Sequence, residues 1–210
     1  FNEVMDTHKV YFKNLDSIRF IAASMVVLSH SIRPSYEYLP IRDTFWEKLL
    51  NATSNGAIGV SIFFVLSGFL ITYLLMTEYE LTSNISIKNF YMRRILRIWP
   101  LYYLVVLFTF FLYPFLKSMI GMNHPLASNF FYHLTFLSNF DLINVITNFK
   151  GLDAISQDIT WSVSVEEQFY LFWPVLFIVL PQRLWIHSIV LIIVGSVVFR
   201  IINDSDPIVL

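Results

Sequence analysis

Apolar residues in this chain fall in long runs, and polar residues gather in the gaps between them. A membrane crossing takes roughly 20 mostly apolar residues in succession. Five runs come near that length: about 15–32, 56–76, 94–116, 160–181 and 184–202. Residues 56–76 hold no charged side chain. The first run is weaker, with Asp16 and Arg19 in its opening turns and His30 near its far end. The fourth carries Glu166 and Glu167. The stretch 128–149 is broken by His133, Thr135, Ser138, Asn139, Asp141, Asn144 and Asn148, and is predicted to be re-entrant or interfacial. Backbone that does not span is tolerated at membrane depth where it lines a cavity. The pattern predicts an all-α fold, a polytopic transmembrane helical bundle with five spans, in one domain over 1–210.

Composition sharpens this picture. Hydrophobic residues make up 56% of the 210 and charged residues 14%, against about 25% charged in soluble domains. Mean hydropathy is +0.62, so the expected partner is a lipid bilayer. The net charge of −1 gives no basic bias, and nucleic acid is not expected as a partner. Cysteine is absent, which excludes disulfides, thiolate metal sites and cysteine nucleophiles. No metal site is expected. Charge placement predicts orientation, because cytoplasmic loops collect Lys and Arg. Lys9, Lys13 and Arg19 precede the first span, and Lys88, Arg93, Arg94 and Arg97 lie between the second and third. Both groups are expected in the cytoplasm, with the N-terminus. The loop 33–55 mixes signs and is expected outside. If 128–149 does not cross, the helix after it runs inward and Arg183 reaches the cytoplasm; if it does cross, that helix is inverted.

Several polar residues inside this apolar framework are candidates for chemistry. Arg19 and His30 are separated by 11 residues. On a helix they share nearly one face, roughly 16 Å apart along the axis. Asp16, three residues before Arg19, is placed to pair with it. An ionisable group within a membrane is a functional hypothesis by default, and imidazole suits proton transfer near neutral pH. The plainer reading of His30 is a hydrogen bond at the outer interface. Arg94 and Arg97 share a helix face and suit phosphate oxygens, or they are ordinary cytoplasmic anchors. Trp99 and Pro100 fit an interface aromatic and a helix-start proline. Ser67-Gly68 permits close packing, and nothing local activates Ser67 as a nucleophile. Glu166 and Glu167 point about 100° apart on a helix, either into a polar cavity or toward the headgroup layer.

Four blocks, taken in order, are similar to the acyltransferase 3 family of integral membrane acyltransferases. The first is Leu15-Asp16-Ser17-Ile18-Arg19 leading to Ser29-His30; the second is Gly59-Val60-Ser61-Ile62-Phe63-Phe64-Val65-Leu66-Ser67-Gly68-Phe69. The third is Arg93-Arg94-Ile95-Leu96-Arg97-Ile98-Trp99-Pro100, and the fourth Trp161-Ser162-Val163-Ser164-Val165-Glu166-Glu167-Gln168-Phe169-Tyr170. The resemblance implies about ten spans and transfer of an acyl group, often acetyl, from cytoplasmic acyl-CoA to a carbohydrate-type acceptor outside. It places the family's arginine and histidine on Arg19 and His30, its Arg-x-x-Arg on Arg94 and Arg97, and its glutamate on Glu166, with Glu167 as neighbour. The implied catalytic residues are His30 and Glu166, and the implied acyl-CoA contacts are Arg19, Arg94 and Arg97. Asp16, Ser67, Trp161, Ser164, Glu167 and Tyr170 are supporting. His30 either deprotonates an acceptor hydroxyl or carries the acyl group itself. The chain reads as the N-terminal half of a longer protein, with about five further spans expected.

The function expected on this reading is a bacterial inner-membrane O-acyltransferase using acyl-CoA, acetyl-CoA in the simplest case, to modify a surface or exported glycan. The competing reading is a proton-coupled transporter that uses the same intramembrane His, Asp and Glu as a relay. Clustered phosphate-binding arginines have no purpose in such a relay.

Overall fold

The structure is a computed structural model that describes residues 12, 14–36, 56–121, 128–148 and 160–202. The readings placed on Lys9, Lys13 and the part of the 33–55 loop at 37–55 lie outside the described residues. Regular structure among the described residues is all helical. The helices are α1 (Leu15–Tyr36), α2 (Gly56–Thr82), α3 (Ile87–Leu107), a π-helical segment Phe108–Leu112, α4 (Tyr113–Met119), α5 (Phe130–Leu134), α6 (Ser138–Asn148), α7 (Thr160–Val179), a 3-10 turn Gln182–Leu184 and α8 (Trp185–Ile202). The chain divides into two compact units, Phe1–Leu74 and Leu75–Leu210, and α2 runs through the boundary.

Among the described residues, three helical stretches are long and apolar enough to cross a membrane: Gly56–Thr82, Ile87–Met119 and Gln182–Ile202. The other two expected spans fold as helices of 22 and 20 residues, α1 and α7, and are not among these three. Asp16, Arg19 and His30 dilute the apolar stretch of α1, as Glu166, Glu167 and Gln168 do in α7. Residues 128–148 form two short helices of 5 and 11 residues. At 1.5 Å per residue the longer covers about 17 Å, well short of a hydrocarbon core about 30 Å thick.

In the first unit, α1 and α2 meet over small residues. A Cβ at Gly56 would stand 2.8 Å from Ser29 Oγ, and one at Gly59 would stand 2.7 Å from the Ala22 carbonyl oxygen. The two glycines are one helical turn apart, and Ala22 between the helices is fully buried. Small residues of this kind let two backbones approach without side chains between them. Phe12 closes the same unit, its ring centroid 5.3 Å from Phe69 and 5.2 Å from Tyr73.

The second unit is built on an aromatic core. Tyr102, Val106 and Phe136 are buried, with Trp99, Tyr103, Phe110, Phe130 and Val163 packed on them. Phe136 joins α5 to α6 in the left-handed region, at φ 55°. That conformation costs a residue with a Cβ about 1–2 kcal/mol, and it is held here by the stack of the ring on Tyr102 at 4.4 Å. The turn from α2 into α3 is fixed by Glu78. One of its oxygens accepts from the Ser86 N–H at 3.0 Å, and the other lies 3.7 Å from Arg93 Nη2.

The expected helix start at Pro100 is corrected by the structure. Because Glu78 fixes the chain at Ser86, α3 begins at Ile87 and Pro100 lies inside it. Pro100 has no N–H to give the Leu96 carbonyl, so one rung of the ladder is missing there. Further along, Pro114 follows the π-helical segment and cannot donate back to Phe110. Prolines are a recognised source of such ladder defects.

Candidate functional site

The candidate residues divide between the two units. In the first, Arg19 Nη1 donates to Asp16 Oδ1 at 3.0 Å. Both lie at the start of α1, and His30 is exposed three turns further along the same unbroken helix. Ser67 is half-buried on α2.

In the second unit, α3 and α7 bring two of the sequence blocks together. The Arg94 guanidinium carbon lies 5.4 Å from the centre of the Tyr170 ring and 5.7 Å from that of Phe90. A cation over an aromatic face gains about 0.5–2 kcal/mol, and the ring fixes where the guanidinium points. The Tyr170 hydroxyl in turn donates to Glu166 Oε2 at 3.0 Å, one turn back on α7. Five residues further along α3 from Arg94, Trp99 donates its indole N–H to Glu167 Oε2 at 3.2 Å. Tyr91, on α3 before Arg94, donates its hydroxyl to the Leu171 carbonyl at 2.7 Å. The charged half of α7 is thus registered against α3 by contacts at Tyr91, Arg94 and Trp99. Arg97 is exposed. Arg93 is turned to Glu78, so of the three arginines it belongs to the α2–α3 turn.

The site has polar support that sequence reasoning missed. His133 is 2% and Asp141 1% exposed. The Ser128 hydroxyl donates to Asp141 Oδ2, which also accepts from the Asn129 N–H at 3.0 Å. Ser128 Oγ is 2.9 Å from His133 Nε2, and Thr160 Oγ1 is 3.0 Å from Nδ1. A hydroxyl has one proton to give. With that of Ser128 committed to Asp141, Ser128 accepts from His133 Nε2–H, and Thr160 Oγ1 faces Nδ1 on the other side of the imidazole. Burial pushes its pKa below the ordinary histidine value, against the opposing pull of Asp141. The imidazole therefore joins the loop at Ser128 and helices α5, α6 and α7.

A second rung lies beside it. Ser138 and Ser164 hydroxyls are 2.7 Å apart, and the Tyr102 hydroxyl donates to the His133 carbonyl at 2.8 Å with Ser164 Oγ 3.4 Å away. Ser164 is thereby a buried helix contact, and Trp161 is half-buried on the same helix. Gln168 donates to the Phe136 carbonyl at 2.8 Å and to Asn139 Oδ1 at 2.9 Å. The only signal for this network in the sequence is the polar break in 128–149, and that break does not say which polar groups meet. Among the described residues, no three His, Asp or Glu side chains gather as a metal site requires.

The sequence profile of a family described as "Acyltransferase domain" matches residues 12–204. Similar proteins include the peptidoglycan O-acetyltransferase OatA of Listeria monocytogenes serovar 1/2a (strain ATCC BAA-679 / EGD-e), 32% identical over 183 residues, covering 85% of this chain and 26% of the relative. A provisionally named O-acetyltransferase of Staphylococcus aureus (strain COL) is 31% identical over 173 residues, covering 81% of this chain and 25% of the relative. YrhL of Bacillus subtilis (strain 168), provisionally named a peptidoglycan O-acetyltransferase, is 32% identical over 180 residues, covering 82% of this chain and 24% of the relative. The chain spans about a quarter of the length of these relatives. No solved structure matches it.

Proposed function

Because the chain belongs to this acyltransferase family, we propose that the protein is a membrane O-acetyltransferase that moves acetyl from acetyl-CoA to a hydroxyl of a cell-surface glycan. Peptidoglycan is the acceptor named for OatA, and it is the acceptor proposed here. The transporter reading has no observation in its favour.

The observation that carries the proposal is the pairing of Arg94 with Tyr170 and Glu166, which joins a guanidinium to a carboxylate helix at 5.4 Å and 3.0 Å. A coenzyme A donor is polyanionic at one end and carries its thioester at the other. Guanidinium forks held in one orientation suit its phosphate oxygens. Arg94 takes that role, set by Tyr170 and Glu166. Arg97 and Arg19 are further phosphate contacts, with Asp16 steadying Arg19 at 3.0 Å.

His30 is the base. It takes the proton of the acceptor hydroxyl as the oxygen attacks the thioester carbonyl carbon. The C–S bond then breaks, and the thiolate takes the proton back from the imidazolium, so no net charge is left behind. The N-terminus is cytoplasmic in this proposal, the donor enters from that side, and the membrane is the bacterial plasma (inner) membrane. The full bundle has about ten spans, with α1 and α7 crossing and 128–149 re-entrant.

The test uses the full-length protein in membrane vesicles, with labelled acetyl-CoA and soluble peptidoglycan glycan strands of the host. Wild type transfers label to the glycan, and His30→Ala, inserted at the wild-type level, loses at least a hundredfold. Full transfer by the variant would remove His30 from the mechanism. Absence of transfer by wild type would overturn the function.

A further inference from the structure

Adjacent carboxylates on one helix face different surroundings, and Glu166 and Glu167 do so here. Glu166 is engaged within α7, where it accepts from Tyr170 at 3.0 Å. Glu167 turns instead to α3, where its Oε2 accepts from Trp99 Nε1 at 3.2 Å. Its other oxygen, Oε1, is buried and has no hydrogen-bond partner among the described residues. Carboxylate oxygens are rarely left dry, because a charged group that loses water without a replacement donor is strongly disfavoured. A donor for this oxygen has to come from outside the described residues.

The surroundings say what kind of donor fits. The Trp99 indole is locked by ring contacts to Tyr103 (5.8 Å) and Phe136 (5.4 Å), so the carboxylate it holds is fixed in orientation. A fixed carboxylate beside Trp and Tyr rings suits a sugar, whose C–H face lies on rings while its hydroxyls donate to acid oxygens. It repels the phosphates of a coenzyme A donor. Complementary charge sorts the two substrates: the anion belongs with Arg94, the neutral polyhydroxylic acceptor with the free acid oxygen.

We infer that Glu167 is an acceptor-binding residue: its Oε1 receives a hydroxyl of the glycan, and Trp99 is the positioning residue that aims it. The inference rests on the acetyltransferase function proposed above and adds to it which of the two carboxylates touches the acceptor.

The test is steady-state kinetics of the full-length protein in vesicles, with acetyl-CoA and soluble peptidoglycan glycan strands varied separately. Glu167→Gln keeps the size of the side chain and one acceptor oxygen but puts an NH2 or a neutral oxygen at the open position. The expected result is a rise of at least tenfold in the glycan KM, with the acetyl-CoA KM within twofold of wild type. Trp99→Phe keeps the carboxylate and releases it, and raises the same glycan KM by a smaller factor.

If Glu167→Gln is not recovered in the membrane, Trp99→Phe decides alone, and an unchanged glycan KM overturns the inference. A rise in the acetyl-CoA KM alone would overturn it also, by giving the oxygen to the donor. Unchanged kinetics in Glu167→Gln, with transfer still lost in His30→Ala, would overturn the inference and leave the proposed function standing; the oxygen's partner would then be another part of the protein. A wild type that transfers nothing would overturn both.

Discussion

Replacing Gly59 by alanine tests how α1 is held. The new Cβ would lie 2.7 Å from the Ala22 carbonyl oxygen, 2.9 Å from Val26 Cγ2 and 3.3 Å from Met25 Cβ. The nearest of these is main chain and cannot rotate away. An ordinary contact begins at 3.4 Å, so α1 has to move back by about 0.7 Å against Ala22. Overpacking of this kind costs about 1–3 kcal/mol, and alanine's better helix propensity returns up to about 1 kcal/mol. The net loss of stability is therefore about 1 kcal/mol, small enough that the protein still inserts.

On the proposed function the larger effect falls on activity. α1 carries His30, the proposed base, and a displacement near 1 Å in a reacting group can cost on the order of a hundredfold in rate. Acetyl transfer per inserted molecule by Gly59→Ala is expected to fall about tenfold or more, with Gly56→Ala milder because its nearest obstacle is the rotatable Ser29 hydroxyl at 2.8 Å and the fixed Ser29 Cβ stands further off at 3.0 Å. Trimming Val26 to alanine in the Gly59→Ala background should not restore the rate, since the carbonyl contact remains. A rate within twofold of wild type for Gly59→Ala would refute the reasoning, and so would full rescue by Val26→Ala.

The remaining predictions concern the second unit. Glu78→Ala strands the Ser86 N–H and frees Arg93, and is expected to lower stability by about 1–3 kcal/mol; Glu78→Gln, which keeps an acceptor for Ser86, loses less. Thermal unfolding in detergent measures both, and an unchanged melting temperature for Glu78→Ala would show that the turn holds without it. The His133 imidazole is pushed down by burial, so the unfolded chain binds its proton more readily than the folded one. Stability is then expected to fall as pH drops below about 6.5, the ordinary histidine value. His133→Gln should flatten that part of the pH profile, and an equal acid sensitivity in the variant would assign the effect to another group.

The sequence by itself determined the helical character of the chain and much of its division into elements. Long apolar runs have one stable backbone solution in a membrane, a helix whose polar groups are satisfied internally. That is why the runs at 56–76, 94–116 and 184–202 lie inside the three helical stretches able to cross. Family membership was also legible, because four motifs in fixed order carry it over most of the chain. Helix ends were not, since hydropathy marks where a helix is apolar and not where it stops. α2 continues through Glu78 and Glu80 to Thr82, and α3 starts well before Pro100.

Only the tertiary structure decided which polar groups meet. Glu166 and Glu167 are equivalent in the sequence until α3 packs against α7. Trp99 then takes one carboxylate and leaves an oxygen without a partner among the described residues, while Tyr170 takes the other. Arg93 and Arg94 are likewise neighbours until Glu78 claims the first and the Tyr170 ring the second. His133 and Asp141 looked like mere interruptions in a hydrophobic stretch, and folding makes them the centre of a buried network. The physical reason is common to all three. A side chain's burial and its partner come from helices distant in sequence, and the local pattern records only that a polar group is there.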